Sequence, residues 1–168
     1  RATVHAAGAY RYAAVTVDTD VVYTNNAYSG AFRGFGNTES AAVIEQAVDE
    51  LADRLGEDPI AFRLRNCLRT GDRAMTGNVI EHEIGLAACL EWVGDQSDWA
   101  RKRAAYADQD AAATIRRGLG VACYFHGSSL GGEGADYATA TLTIENDYTL
   151  TLTSGLTDYG QGSRTVLP

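Results

Sequence analysis

The sequence predicts an α+β fold with helices in the N-terminal half and an antiparallel sheet in the C-terminal half. Three observations support this prediction. Apolar residues recur at helical spacing after Gly36, they alternate with polar residues from Gly118 onwards, and the turn-forming pair Asn146 and Asp147 separates two alternating runs. Helices and strands are therefore expected in different halves of the chain.

The first predicted element is a strand or hairpin arm at residues 13–23, where valines alternate in part with threonine and aspartate. It leads into residues 30–36, which carry glycines and two phenylalanines around a single arginine and are called the Phe-Arg loop below. Glycines allow the backbone to approach a ligand closely, and the aromatic and cationic groups suit a flat, anionic molecule. The strand is thus expected to deliver a binding loop.

A long amphipathic helix is predicted directly after the Phe-Arg loop. Asn37 and Thr38 can cap its N-terminus, and Gly56 can end it. Its apolar stripe would consist of Ile44, Ala47, Val48, Leu51 and Leu55. Its acidic residues Glu45, Asp49 and Asp53 are expected to face solvent. The start of such a helix carries unpaired N–H groups and a partial positive charge that suit an anion, although Glu39 in the first turn is an alternative partner for these groups.

Shorter helices are predicted to follow. Asp58 and Pro59 form a cap and first-turn pair that starts a helix to about Asn66. The arginines of this region are expected to form a solvated face: Arg63, Arg65 and Arg69. Residues 84–93 have helical spacing as well.

Another helix is predicted to begin with Ser97 as its cap and to end near Ala107. Residues 94–96 would separate it from the helix before it. Trp99 in this helix is expected to pack in the core.

The C-terminal half has the alternation of a sheet. Four apolar residues alternate with others before the glycine-rich loop of residues 127–134: Leu119, Val121, Cys123 and Phe125. Two further alternating runs lie on either side of Asn146 and Asp147. A second glycine-bearing loop at residues 158–163, the Gly-Gln-Gly loop, follows the last predicted strand.

Composition excludes several functional classes. The chain has 168 residues, a hydrophobic content of 45% and a net charge of -8 without a basic run, so nucleic acid is not expected as a partner. No apolar run reaches the ~20 residues that span a bilayer, and membrane association is not expected. Cys67, Cys89 and Cys123 form no CxxC pair, which favours the reducing cytoplasm. The histidines are isolated in the sequence, so metal coordination by side chains is not predicted.

Other interpretations of the Phe-Arg loop are open from the residues alone. A dinucleotide-binding fingerprint fails because Glu39 stands where its third glycine would be, and a phosphate loop fails because the Lys-Ser/Thr ending is absent. A plain strand-to-helix turn with Phe32 and Phe35 in the core is equally compatible with the composition of the loop.

Ordered stretches of the sequence resemble the molybdenum hydroxylases, the family of xanthine dehydrogenase, aldehyde oxidase and their relatives. Residues 22–36 resemble the stretch that ends in the family's Phe-Arg loop, and residues 51–59 and 65–72 resemble the segment after it. Residues 155–165 resemble the family's Gly-Gln-Gly cofactor loop. Matches in the same order are more specific than any one of them, although the resemblance is weak over residues 73–117.

The resemblance implies that the chain is part of a larger molybdopterin-binding domain. Residues 1–117 would be its first molybdopterin-binding part, with the Phe-Arg loop and the helices. Residues 118–168 would start a second part that is truncated after the Gly-Gln-Gly loop. The implied cofactor is molybdenum held by molybdopterin or by molybdopterin cytosine dinucleotide, which supplies nearly all the metal ligands itself.

The resemblance also assigns cofactor-binding residues: Phe32, Arg33, Gly34, Gly160, Gln161, Gly162 and Ser163. The backbone at Arg33 would orient the oxygen ligands of the metal, and Gly34 would let the chain pass close by. The side-chain amide of Gln161 would match the edge of the pterin, because it both donates and accepts hydrogen bonds.

Substrate contacts are implied at both ends of the chain. Arg1 would meet a polar or anionic edge of the substrate, and the ring of Phe35 would lie against a planar substrate. Leu130 and Gly131 stand where purine-oxidising members carry a bulky aromatic, which argues against xanthine and favours a substituted aromatic or N-heterocyclic compound. The catalytic glutamate of the family lies beyond Pro168, so no catalytic residue is assigned within this chain.

The expected function is therefore that of a fragment of an oxidoreductase catalytic subunit. The whole enzyme would hydroxylate an N-heterocyclic, aromatic or aldehyde substrate with oxygen derived from water, and the isolated segment would be inactive. The implied partners are the remaining parts of the molybdenum subunit and domains or subunits with 2Fe-2S clusters and FAD, in an oligomer. The alternative is a non-catalytic α+β binding or assembly module with the same scaffold; a flavin or nucleotide binder is disfavoured by the missing phosphate fingerprints.

Overall fold

The computed structural model describes residues 2–28, 30–110, 112–127 and 137–167. The chain forms two compact units, Arg1–His126 and Gly127–Pro168. The first unit is helical, with α1 Ala2–His5, α2 Asn37–Leu55, α3 Pro59–Asn66, α4 Leu86–Gln96 and α5 Trp99–Ala107. The second unit contains strands β1 Ala140–Ile144 and β2 Leu150–Ser154, followed by α6 Ser163–Val166. The predicted α+β class, with helices first and an antiparallel sheet second, is confirmed.

Helix α2 begins and ends where the sequence predicted, but its N-terminus is built differently. Gly36 is the N-cap residue, with φ of 91°, and Gly56 ends the helix with φ of 67°. Asn37 does not cap the helix, because its side chain is buried and donates from Nδ2 to the Phe125 carbonyl oxygen at 2.8 Å. A distant segment of the chain therefore uses the side chain that the sequence assigned to a local cap.

The buried face of α2 differs from the predicted stripe. Val48 is buried as expected, whereas Ala47, Leu51 and Leu55 are exposed. Glu45, expected in solvent, is only 6% exposed. The helix turns this face inwards because the Glu45 carboxylate pairs there with a buried arginine, so an ion pair as well as apolar spacing sets its rotation.

Helix α3 follows its predicted start signal. The Asp58 side chain accepts from Ile60 N at 2.9 Å and from Ala61 N at 3.1 Å, and Pro59 occupies the first turn. The expectation that Arg63 lies on a solvated face is wrong, since its side chain is fully buried. Arg63 Nη2 lies 2.9 Å from Glu45 Oε2, and Nη1 lies 2.7 Å from Asp49 Oδ1. A guanidinium can be buried here because acidic residues of α2 neutralise it.

The core of the first unit contains Ala9, Tyr10, Val48, Leu90 and Cys123. The side chains that pack against it from the periphery are Ile44, Phe62, Leu64, Leu86, Val121 and Phe125. The segment of residues 119–125 turns its alternate side chains inwards as predicted, although it is extended without belonging to a named strand.

Two local predictions in the first unit are wrong. Residues 13–23 form no strand. Helix α4 continues through residues 94–96, and Ser97 ends α4 instead of starting α5, whose N-cap residue is Asp98. A serine hydroxyl can donate as well as accept, and Ser97 Oγ donates to the Gly94 carbonyl oxygen at 3.3 Å. Trp99 packs as expected, with 6% exposure.

The second unit contains the predicted hairpin. β1 and β2 pair antiparallel, with Leu142 opposite Leu152 and Ile144 opposite Leu150. The turn uses Asn146 and Asp147 as predicted, and Tyr148 follows with φ of 66°. A tyrosine in the left-handed region is strained, because its Cβ lies too close to the backbone. For this reason most such hairpin positions hold glycine or asparagine.

Candidate functional site

The Phe-Arg loop adopts a backbone conformation that L side chains rarely accept. Gly34, Phe35 and Gly36 have successive φ values of 92°, 51° and 91°. Within the loop, Phe35 N donates to the Phe32 carbonyl oxygen at 2.7 Å, and Asn37 N donates to the Gly34 carbonyl oxygen at 3.0 Å. The loop is thus a tight, hydrogen-bonded turn that connects directly to α2.

Gly34 and Gly36 are required by space as well as by φ. A Cβ on Gly34 would overlap Thr38 Oγ1, and a Cβ on Gly36 would lie 3.1 Å from Ala2 N. Phe35, between them, has a side chain in the left-handed region, which costs about 1–2 kcal/mol. Such strain is concentrated in proteins at functional sites, where it holds a group in a specific orientation.

Both phenylalanines of the loop are exposed. Phe32 is 85% exposed and Phe35 is 55% exposed, so the interpretation of the loop as a turn with two core phenylalanines is wrong. Exposed aromatic rings on a strained loop are available for a planar ligand.

The N-terminus of α2 is open to a ligand. Gly36 has no side chain to cap it, and within the described residues no side chain accepts a hydrogen bond from the N–H groups of Thr38 or Glu39. The alternative in which Glu39 satisfies the helix start is therefore not the arrangement in this structure. A helix of 19 residues with such an end attracts negative charge.

A second segment, residues 123–126, lies beside the Phe-Arg loop, and no functional role was assigned to it from the sequence. Cys123 N donates to Glu45 Oε2 at 2.7 Å, and the Phe125 carbonyl accepts from Asn37. Tyr124 lies between these two anchors, and its side chain is exposed whereas Cys123 is buried. A Cβ on Gly34 would lie 3.6 Å from the Tyr124 hydroxyl. The alternation of residues 119–125 could have indicated this segment from the sequence, because it predicts that Tyr124 and His126 lie on the face opposite the buried side chains.

Histidines extend this second segment. The His126 ring is stacked near Tyr124, with centroids 6.3 Å apart and planes at 29°. The His5 ring lies 5.2 Å from that of His126. His5 and His126, isolated in the sequence, are neighbours in the structure, but within the described residues no group of histidine, cysteine and acidic side chains is suited to hold a metal ion.

Beneath the second segment lies a buried polar cluster centred on Glu45. Its Oε1 accepts from the Tyr10 hydroxyl at 2.6 Å, and its Oε2 accepts from Arg63 Nε at 2.9 Å. Burial and the hydrogen bond to Glu45 raise the pKa of Tyr10 above its ordinary value. Burial and the nearby charge of Glu45 raise the pKa of Cys123 to about 11. The cluster ties the second segment, α2 and α3 to one another.

The Gly-Gln-Gly loop of the second unit is also tightly organised. Gly160 and Gly162 have φ of 106° and 79°. The Asp158 carboxylate accepts from Gly160 N at 2.7 Å and from Ser163 N at 2.8 Å. These backbone donors hold the pKa of Asp158 below its ordinary value, the bond from Gly160 contributing most. The backbone of this loop is thus arranged to surround an anionic oxygen.

The side chain of Gln161 is engaged within its own loop. Its Oε1 accepts from Tyr159 N at 2.7 Å, and its Nε2 donates to the Thr157 carbonyl oxygen and to Ser163 Oγ, each at 2.8 Å. The contact of this amide with a pterin edge stays a prediction, and in this structure the amide organises the loop. Gln161 and Arg33 belong to different units.

Three predicted substrate-binding residues lie outside the described residues: Arg1, Leu130 and Gly131.

No helix among the described residues is long and apolar enough to cross a membrane.

Comparisons with known proteins agree on one family. Residues 1–67 and residues 93–168 each match the model of a molybdopterin cofactor-binding domain. The putative xanthine dehydrogenase molybdenum-binding subunit of Escherichia coli (strain K12) is 38% identical over 94% of this chain, which covers 20% of that relative. The nicotinate dehydrogenase large molybdopterin subunit of Eubacterium barkeri is 46% identical over 54% of this chain and 21% of that relative.

A solved structure is similar as well. The crystal structure of the aldehyde oxidoreductase from Desulfovibrio desulfuricans matches with a TM-score of 0.59 and 34% identity, over 73% of this chain and 13% of that one. The chain spans about a fifth of the length of the curated relatives described above.

Proposed function

The chain belongs to the molybdenum hydroxylase family, and from this premise we propose that it seats molybdopterin and orients a small substrate within a larger catalytic subunit. The observation that carries the proposal is the Phe-Arg loop, in which three successive residues have positive φ at the uncapped start of α2. The proposed reaction of the whole enzyme is hydroxylation of an N-heterocyclic, aromatic or aldehyde substrate with oxygen derived from water.

The residues of the Phe-Arg loop fit such a cofactor. Gly34 and Gly36 adopt the positive φ values that the tight turn requires, and the N–H groups of Thr38 and Glu39 offer donors to an anionic group. The family's cofactor is expected to bring its own metal ligands. When bound, it supplies the two-electron oxidation of a substrate carbon.

The protein's own share is orientation. The exposed ring of Phe35, which the strained loop carries, can lie against a planar substrate. Stacking contributes about 0.5–1.5 kcal/mol beyond burial, which is enough to orient a ring. The Arg33 backbone, held by the turn from Phe32 to Phe35, is proposed to lie next to the oxygen ligands of molybdenum without binding the metal directly.

The Gly-Gln-Gly loop of the second unit is proposed to contribute to molybdopterin binding. The N–H groups of Gly160 and Ser163 donate to the Asp158 carboxylate, so this carboxylate sets the shape of the loop. Gln161 and Ser163 hold the loop in shape through the hydrogen bond between their side chains. A preformed loop loses less conformational freedom on binding than a mobile one.

The relatives suggest the class of substrate and partner. One matched relative is named for nicotinate and another matched protein for aldehydes, which supports a small N-heterocyclic, aromatic or aldehyde substrate. We propose that iron-sulfur and flavin domains or subunits carry the electrons away, that the assembly is oligomeric, and that it works in the cytoplasm.

A matched pair of glycine substitutions tests the role of the Phe-Arg loop in the intact complex. Gly34→Ala and Gly71→Ala place a Cβ at nearly the same φ, 92° and 91°. The new Cβ would overlap the Thr38 side chain at Gly34, whereas no atom lies within 4 Å of it at Gly71. Both variants incur the ~1–2 kcal/mol cost of the left-handed region. Displacement of a site by about 1 Å can lower a rate about 100-fold.

We expect Gly71→Ala to keep its molybdenum and its activity, and Gly34→Ala to lose most of its molybdenum and about 100-fold in hydroxylation rate. Metal analysis and incorporation of ¹⁸O from labelled water measure the two quantities. An intact wild-type complex without molybdenum, or a Gly34→Ala complex with full molybdenum and full rate, would contradict the proposal.

A further inference from the structure

We propose that the hydroxyl of Tyr124 donates a hydrogen bond to the substrate at the Phe-Arg loop and so selects substrates with a ring nitrogen. This inference rests on the proposed function of the loop. It concerns a residue to which no role was assigned from the sequence, and its basis is the position of Tyr124 in the first unit.

The position of Tyr124 is fixed by α2. Its neighbours in sequence are held on both sides, at Cys123 N by Glu45 and at the Phe125 carbonyl by Asn37. Both anchoring side chains belong to the helix that begins at the Phe-Arg loop. The loop and Tyr124 are therefore attached to the same rigid element.

The hydroxyl of Tyr124 lies near the loop at Gly34. A Cβ on Gly34 would be 3.6 Å from this oxygen, so the two groups border the same space. The side chain is 53% exposed, and within the described residues its hydroxyl has no hydrogen-bond partner. A polar group held in place but unused by the fold is available to a ligand.

The direction of the Tyr124 ring is restricted by its neighbours. The His126 ring is stacked 6.3 Å from the Tyr124 ring, and the His5 ring lies 5.2 Å from that of His126. A phenolic hydroxyl is a hydrogen-bond donor, and a pyridine-type ring nitrogen is an acceptor. A site that hydrogen-bonds a polar atom of its substrate discriminates against an analogue that lacks this atom.

Two aldehydes that differ by one ring nitrogen test the inference. Pyridine-3-carbaldehyde and benzaldehyde are titrated by calorimetry into the intact molybdenum-containing complex, as wild type and as Tyr124→Phe. We expect the wild type to bind the pyridine compound about tenfold more tightly, which corresponds to one hydrogen bond. We expect Tyr124→Phe to bind both compounds with the weaker affinity.

Tyr148→Phe is the matched control, because Tyr148 is an 88% exposed tyrosine in the hairpin turn of the second unit. It should keep the tenfold preference. Equal wild-type affinities, no binding of the pyridine compound, or a preference that persists in Tyr124→Phe would overturn the inference.

Molybdenum content separates this inference from the function on which it rests. A wild-type complex that lacks molybdenum overturns both. A complex with full molybdenum whose preference does not depend on Tyr124 overturns the inference alone. Loss of molybdenum in Tyr124→Phe also overturns it, since the residue would then hold the cofactor site and not the substrate.

Discussion

Glu45→Gln is expected to destabilise the first unit strongly, although it changes one oxygen to one nitrogen. The carboxylate accepts from Tyr10, from Arg63 and from Cys123 N. An amide keeps one acceptor atom and presents an NH₂ group where the other was. The amide can keep these contacts only if its NH₂ group faces the Tyr10 hydroxyl, which then accepts instead of donating, and in either orientation the buried guanidinium loses a negative charge.

The magnitude follows from this arrangement. Removal of one partner from a buried ion pair costs about 3–5 kcal/mol. Arg63 retains its contact with Asp49, which is 48% exposed at the side chain. We therefore expect the lower end of that range, ~3 kcal/mol.

Amide hydrogen exchange in the intact subunit measures the loss of stability at the segment that Glu45 holds. The amide of Cys123 donates directly to Glu45, so the peptide that contains residues 119–127 should exchange faster in Glu45→Gln. A loss of ~3 kcal/mol corresponds to an increase of about 100-fold in the opening equilibrium.

Glu50→Gln supplies the control on the same helix. Glu50 is 63% exposed at the side chain and pairs with Arg54 one turn away. Such exposed pairs contribute about 0–1 kcal/mol. If both variants exchange alike at residues 119–127, the carboxylate of Glu45 does not hold that segment in place.

The remaining predictions concern pH and the hairpin turn. Burial raises the pKa of Cys123 from 9.0 to about 11, so its contribution to stability is complete below pH 9 and is lost as the pH rises towards 11. The thermal unfolding midpoint should fall over this range, and Cys123→Ser should fall less; equal slopes would contradict the assignment. Tyr148→Gly should stabilise the hairpin by about 0.5–1 kcal/mol, because it relieves a left-handed tyrosine, and slower exchange of the β2 amides would show it. Unchanged or faster exchange would mean that the tyrosine is not strained.

Local signals in the sequence predicted much of the fold. Asp58 and Pro59 start α3, Gly56 ends α2, and Asn146 and Asp147 turn the hairpin, all as expected. These features depend on residues within a few positions of one another. A backbone N–H finds its cap, or a glycine its left-handed φ, without help from the rest of the chain.

Interactions between distant residues explain the errors. Arg63 and Glu45 have the composition of solvated helix faces, but each is buried because the other is present. Asn37 is a good cap residue, yet it pairs with Phe125 far along the chain. Hydrophobic spacing could not anticipate these pairings, since it treats every charged or amide side chain as a group that prefers water.

The candidate site divides in the same way. The glycines and phenylalanines of the Phe-Arg loop could be identified from the sequence, together with the family they indicate. The site predictions for Arg33 and Gln161 stay predictions. The neighbourhood of Tyr124, His126 and His5 beside the loop could not be identified, because their separation in the chain carries no local signal.

The family resemblance, the order of helices and strands, and the glycine-bearing Phe-Arg loop could be identified from the amino-acid sequence, because each depends on residues near one another in the chain. The buried face of α2 and the side chains that border the loop depend instead on tertiary contacts. A buried charge must find its partner in space, and that partner can come from any part of the chain.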